Sequence, residues 1–333
     1  MEGRVRVVFE REPNFFDSLR VHREAAVVSA VGGDGGEEIL GFAIRAADPL
    51  WLEGRVTRVG YLGGLRVRPD ARDLRSIKLG WELFRELHER DPLAVYFTTI
   101  QETNEIARKL LESARFGIPP YHRIGTIVSH VFSPRAPRAK PRCELVSGEE
   151  VGWDEIAGFA AEIGPSRNFF PALDAESLRG TRTPGLELGG MTLAVDGSRI
   201  LGTLGRWRQT AFKQVRVAGY PVYLKLARPL ANASSLISKS PYIPVAGETL
   251  ELRYFCLPLV RDDRVDVFAQ LLAAAAAPLG RNTHCVLGLT EADPLLEAMS
   301  FVAWKERFAL YTVAFEGDPP NLSRVPYIES ATL

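Results

Sequence analysis

Cysteine is scarce in this chain of 333 residues: Cys143, Cys256 and Cys285 are the only three, and none stands in a CxxC spacing. A full disulfide set is therefore excluded, and the chain reads as cytoplasmic and reduced. Charge of one sign is also lacking, since 41 basic residues meet 41 acidic ones. With no global field, the composition gives no pull toward nucleic acid or an anionic membrane. Long hydrophobic runs are missing too. The longest, around Phe268–Leu279, is interrupted by Gln270 and falls short of the roughly 20 apolar residues of a membrane span. No basic, apolar and small-residue succession opens the chain, so no secretory signal is expected. The five histidines are few, and His22, His88, His130 and His284 show no metal-binding spacing, so they read as structural and no metal is expected. The glycines Gly32, Gly33, Gly35 and Gly36 form no phosphate loop, because no Lys-Ser/Thr follows them. The sequons at Asn232 and Asn321 carry no weight without export.

What is present is globular: 46% hydrophobic and 25% charged residues, over a length that suits two ordinary domains. The clearest boundary is 133–143, where Pro134, Pro137 and Pro141 alternate with Arg135, Arg138, Lys140 and Arg142. Proline at that density holds neither helix nor central strand, so residues 1–132 and 144–333 are expected to be two domains. In the first, strands are expected at 4–9, 25–31, 38–46, 58–67, 94–100 and 123–132. Ile77, Trp81, Phe84 and His88 recur at helical spacing, and Thr103 is placed to cap a helix over 104–113. In the second, the expected helices are 152–162, 265–278 and 295–299, and the expected strands 191–195, 199–206, 250–257, 284–289 and 304–315. Pro221, Pro229, Pro241 and Pro244 predict a long loop over 220–246, placed in the cleft between the domains. Cys256 and Cys285 lie on apolar strands and read as core residues.

The run from Tyr61 to Arg72, with its pair Gly63-Gly64, leads into Leu79-Gly-Trp-Glu-Leu-Phe-Arg-Glu-Leu87 and resembles the central motif of the GNAT acyltransferases. Asn104-Glu-Ile-Ala107-Arg-Lys-Leu110-Leu111 with Phe116 resembles that family's next motif. The resemblance covers most of residues 1–132 and, by order of elements alone, 144–333. It implies an α/β (α+β) chain of two tandem GNAT-like domains, each a mixed, mostly antiparallel sheet flanked by helices. It further implies acetyl-CoA or another acyl-CoA as co-substrate, and a small-molecule or peptide amine as acceptor. In that family a bulged strand opens a V for pantetheine. Here the strand is Tyr61–Val67, and a glycine pair suits a bulge. Leu65, Arg66 and Val67 would face pantetheine with their backbone, and the pyrophosphate would sit on the following helix N-terminus, beside Arg72, Asp73, Leu74, Arg75, Ser76 and Ile77.

The chain departs from the pattern in several places. Arg75 and Ile77 stand where the family has small residues, which narrows the approach of phosphate to backbone, and Asp73 adds a like charge. Arg72 and Arg75 read either as phosphate ligands or as solvated charges, and a guanidinium at 75 is suited to phosphate. Asn104 reads either as a pantetheine contact or as the start of its helix. The family's frequent acid, a tyrosine, falls at Leu111, and no carboxylate lies on Tyr61–Val67 to act as base. Tyr121 and His122, after Pro119-Pro120, are the remaining proton-transfer candidates, with surface packing as their alternative. In the second domain Arg261-Asp262-Asp263-Arg264 puts acid where phosphate would sit, which suits a structural copy. Two readings stand from this sequence: an acyl-CoA-dependent N-acyltransferase, or a catalytically silent GNAT-like protein that binds a ligand or partner.

Overall fold

The computed structural model describes residues 6–32, 36, 38–71, 74–134, 140–234 and 242–333. The first half runs β1 (Arg6–Glu10), a 3-10 turn (Phe15–Val21), β2 (Glu24–Gly32), β3 (Glu38–Leu52), β4 (Arg55–Val67), α1 (Leu74–Arg90), β5 (Tyr96–Gln101), α2 (Glu105–Leu111) and β6 (Tyr121–Phe132). The second runs β7 (Glu144–Ser147), α3 (Gly148–Val151), α4 (Trp153–Ile163), β8 (Met191–Asp196), β9 (Arg199–Trp207), β10 (Gln214–Gly219) and α5 (Val222–Ser234). It closes with β11 (Leu252–Val260), α6 (Val265–Ala276), β12 (His284–Thr290), a 3-10 turn (Pro294–Met299) and β13 (Trp304–Val313).

Local chemistry accounts for most of these boundaries. Trp81, Phe84 and His88 line the buried stripe of α1, as their spacing dictates. Asn104 caps α2 by accepting from the Ala107 amide at 3.2 Å, and Ser147 with Glu150 forms a capping box on α3. Glu53 and Gly54, both with positive φ, turn β3 into β4. Two expectations are overturned: Asn104, not Thr103, is the residue that caps α2, and 222–234 is helix, not loop. Pro221 stands just before its first residue, where a fixed φ and a missing N–H are tolerated, and Pro229 is carried inside.

Among the described residues, eleven strands form one sheet in the order β2-β3-β4-β5-β13-β6-β12-β11-β9-β8-β7, while β1 and β10 form a separate ribbon. The sheet is mostly antiparallel; β4–β5 and β11–β12 are the parallel pairs among the described residues. The last strand, β13, lies between β5 and β6, pairing Phe308–Val313 with β5 and Trp304–Val313 with β6. The two halves therefore share a single sheet: β13 of the second half lies between two strands of the first, and β6 of the first pairs with β12 of the second. Alternation along each strand sorts its side chains onto two faces. On one face Leu62, Tyr96 and Tyr311 pack under α1 and α2, and farther along the sheet Phe255 and Leu287 pack under α6. On the other, Tyr61, Phe97 and Leu310 meet Phe169, Ile328 and Leu333, which come from the second half. The β3–β4 turn is clamped there as well. Trp51 donates its amide to the Phe170 carbonyl and accepts from the Phe169 amide, and Glu53 accepts from Asn168 and Ser323. Those bonds hold the Glu53 carboxyl down at about 2.

Candidate functional site

β4 and β5 pair only at Gly60 with Tyr96 and Tyr61 with Phe97, and beyond that point they diverge. β4 keeps its bonds to β3 but bulges opposite Phe42–Ile44, where Gly64 adopts a φ of +65°. A Cβ at Gly63 would fall 2.3 Å from the Tyr61 hydroxyl, so the absence of a side chain there lets the Tyr61 ring lie along the strand. Thr98 donates to the Leu62 carbonyl at 2.6 Å and ties the two strands at the apex of the splay. The result is a wedge with one wall on β4 and one on β5.

At that apex, on the face shared with the second half, the His22 ring stacks on Tyr61 with centroids 5.6 Å apart. Its Nδ1 is 2.7 Å from Asp48 Oδ2. The other carboxylate oxygen, Oδ1, accepts from the Arg23 amide and from Arg182 Nη2, each at 2.7 Å. Burial alone would raise the Asp48 carboxyl, but the bonds from His22, the Arg182 guanidinium and the Arg23 amide outweigh it and hold the group below the usual range. His22 and Asp48 line a cavity of about 50 Å³ between the halves, together with Phe97, Arg182, Trp207 and Cys256. At about 10–15 Å³ per water this admits a few small groups. His22 Nε2 carries no hydrogen bond among the described residues, and the ring faces this space. An imidazole whose one nitrogen is fixed by a carboxylate and whose other is free is the arrangement of a positioned base. Tyr61, fully buried, is pushed up to about 12, so its hydroxyl stays protonated as a donor.

The residues singled out from the sequence are distributed differently. Leu65 and Arg66 are exposed on the far part of β4, past the bulge, and Val67 ends it half-buried. Arg72 and Asp73 lie outside the described residues; Leu74 opens α1, followed by exposed Arg75 and half-buried Ser76. Ile77 packs against the core cluster of Trp81 and Phe84. The Asn104 side chain is engaged as the α2 cap. Tyr121 packs edge-on against Trp81 and Tyr311, on the α1 face and away from the cavity, and burial pushes its phenol up. His122 is exposed in a separate groove of about 430 Å³ beside Thr312, Asn321 and Arg324. No group of three His, Cys, Asp or Glu capable of holding a metal occurs among the described residues.

His22 and Asp48 were not identified from the sequence. They are 26 residues apart, on a 3-10 end and mid-strand, and only the pairing of β2 with β3 (Glu24 opposite Ala47) brings them together. The one available signal was an Asp-Pro step inside an apolar strand, an acid that burial obliges to find partners.

The second half repeats the wedge. β11 and β12 pair in parallel at Leu252–Tyr254 and then separate, with a bulge in β11 between Cys256 and Leu259. Its helix α6 starts without a side-chain cap, and two of the acids before and within its first turn form ion pairs, Asp263 with Arg167 and Asp266 with Arg264.

No protein-family model matches the chain, and no curated protein does. Among solved structures, a GCN5-related N-acetyltransferase from Sphaerobacter thermophilus is similar over 90% of this chain and 83% of its own, at 16% identity and a TM-score of 0.53. One from Kribbella flavida aligns over 87% of this chain and 60% of its own, at 11% identity and a TM-score of 0.44. A probable N-acyltransferase from Enterococcus faecalis V583 aligns over 83% and 59%, at 10% identity and a TM-score of 0.42. The chain thus spans about three-fifths of those two longer proteins. The splayed parallel pair, the bulged strand before a helix and the first of these likenesses together give the chain the fold of the GCN5-related N-acetyltransferases.

Proposed function

We propose that this protein is an acyl-CoA-dependent N-acyltransferase built from two GNAT-like halves, and that the first half carries the chemistry. The observation that supports it most is the His22–Asp48 pair at the apex of the β4–β5 wedge, beside a cavity that both halves line. Acyl-CoA supplies an activated thioester carbonyl. The wedge offers the backbone of Leu65–Val67 to its pantetheine arm, and an amide there stabilises the oxygen as negative charge develops. The start of α1, with Arg75, faces the pyrophosphate. His22 Nε2 takes the proton of the attacking amine, while Asp48 holds the ring in position and stabilises the imidazolium that forms. The Tyr61 hydroxyl donates a proton to the departing sulfur, the role that Leu111 cannot fill. The acceptor enters the cavity between the halves.

Titration with acetyl-CoA and longer acyl-CoAs, followed by an amine panel monitored through release of free thiol, tests this reading. His22→Ala is expected to keep coenzyme binding and to lose turnover by about 10²–10⁴-fold. Absence of binding by every thioester would sink it. That outcome is what the silent-scaffold reading expects, and it draws on Arg75 and Ile77 standing where close phosphate approach favours small residues.

A further inference from the structure

The second wedge is not empty. Beyond Tyr254, β11 and β12 no longer bond to each other, yet β12 still pairs with β6 and β11 with β9 on their outer sides. Backbone N–H groups lie in the plane of a sheet, so those not used on the outer side point into the gap and need partners. Residues 326–333 supply them. Ser330 Oγ accepts from the Gly288 amide of β12 at 3.0 Å, and Glu329 Oε2 accepts from the Leu257 amide of β11 at 2.9 Å. Thr290 donates to the Pro326 carbonyl at 2.8 Å. A Cβ on Gly288 would lie 2.5 Å from that of Ser330, so this glycine is where the segment comes closest to the strand.

The segment is buried and fixed from a third side. Tyr327, Ile328 and Ala331 are core residues. Glu329 also accepts from the Tyr327 hydroxyl at 2.6 Å and from the Ala331 amide at 3.2 Å. Gln209 and Lys213, on the connection from β9 to β10, donate to the Ala331 carbonyl at 2.9 and 3.2 Å, and Lys213 to that of Leu333 at 2.8 Å. Lys213 Nζ sits 4.5 Å over the ring of Tyr254, the last residue of β11 paired with β12, as His22 stacks on Tyr61 in the first half. The two apices are therefore treated in opposite ways. In the first, the imidazole keeps a free nitrogen toward a cavity; in the second, the amine is engaged by the chain's own carbonyls.

We infer that residues 327–332 are a built-in occupant of the β11–β12 wedge, held by Glu329 and Ser330 on the two strand amides that an extended ligand would otherwise use, so that the second half accepts no thioester arm. The acidic pairs at the start of α6 agree with this, since they leave no seat for phosphate there. The inference concerns the second wedge and is independent of whether the first binds acyl-CoA.

Hydrogen exchange resolved at the Leu257 and Gly288 amides tests it, with coenzyme A titration as a second arm. Both amides are expected to be protected in the native protein. Ser330→Ala should speed exchange at Gly288 by about tenfold or more and leave Leu257 slow, and Glu329→Met, which removes the acceptor, should do the reverse. Each single change leaves the apolar anchors in place, so folding is retained and the selectivity can be read. In the titration, the native chain is expected to bind at most one equivalent of coenzyme A. Protection that both variants leave unchanged, or two equivalents bound by the native chain, overturns the inference. Zero equivalents in the native chain with the selective exchange pattern intact would sink the acyltransferase reading while upholding the occupied wedge.

Discussion

The Asp48 cluster lends itself to a double-mutant cycle. Asp48 is 7% exposed and gathers His22, the Arg23 amide and the Arg182 guanidinium, each at 2.7 Å. Asp48→Asn keeps the shape but removes the charge and strands the Arg182 cation, whose side chain is 12% exposed. Breaking one partner out of a buried pair costs about 3–5 kcal/mol. Arg182→Met instead removes the cation and leaves Asp48 two donors, so its loss should be that of one charge-assisted hydrogen bond, about 1.5–3 kcal/mol. In the double variant the stranded cation is gone, and the combined loss should fall short of the sum by about 1–3 kcal/mol. Urea unfolding of the four proteins at constant m gives the cycle directly. Losses that add within about 0.5 kcal/mol would show that the two residues do not share a buried network and would refute the reasoning. Turnover provides an independent reading. Under the proposed acyl transfer, Asp48→Asn should lower kcat by about a hundredfold or more through the orientation of His22, while coenzyme affinity is preserved.

Other outcomes follow from individual contacts. Burial, helped by the nearby Arg11, brings Lys213 down to about 7 from its ordinary 10.5, so between those pH values the unfolded chain holds a proton that the folded chain has released. Stability should therefore rise with pH across that window, by up to about 5 kcal/mol at 1.36 kcal/mol per unit, and Lys213→Met should abolish the slope in urea titrations at pH 7–10. Gly63→Ala should displace the Tyr61 ring from beneath His22, costing on the order of 1–3 kcal/mol of stability, measured by thermal melting; an unchanged melt would contradict the close approach. Trypsin cleavage within 135–142 should leave two fragments that co-elute in native gel filtration, because β13 sits between β5 and β6; separation into free fragments would contradict the shared sheet.

The parts legible in the sequence were those written locally. The stripe Ile77, Trp81, Phe84 and His88 specified α1, and the pair Gly63-Gly64 pointed to an irregular strand where Gly64 indeed carries the bulge. The sheet order was not local information: nothing near Trp304 states that its strand inserts between two from the first half. His22 was passed over because a lone histidine has no readable partner until strand register places Asp48 beside it. The prolines around 220–246 were read by propensity, and helix α5 shows Pro221 at a position where proline does no harm.

The place of β13 also orders events during synthesis. Until Trp304–Val313 leaves the ribosome, β5 and β6 have no strand between them, and each offers an unpaired edge beside apolar Tyr96, Phe97, Ile127 and Val128. The nascent first half must wait through nearly two hundred further residues for a pairing of high sequence separation, which is slow to form. During that wait its open edges invite pairing with other chains, so yield in the cell should depend on chaperones that shield edge strands and on the rate of translation.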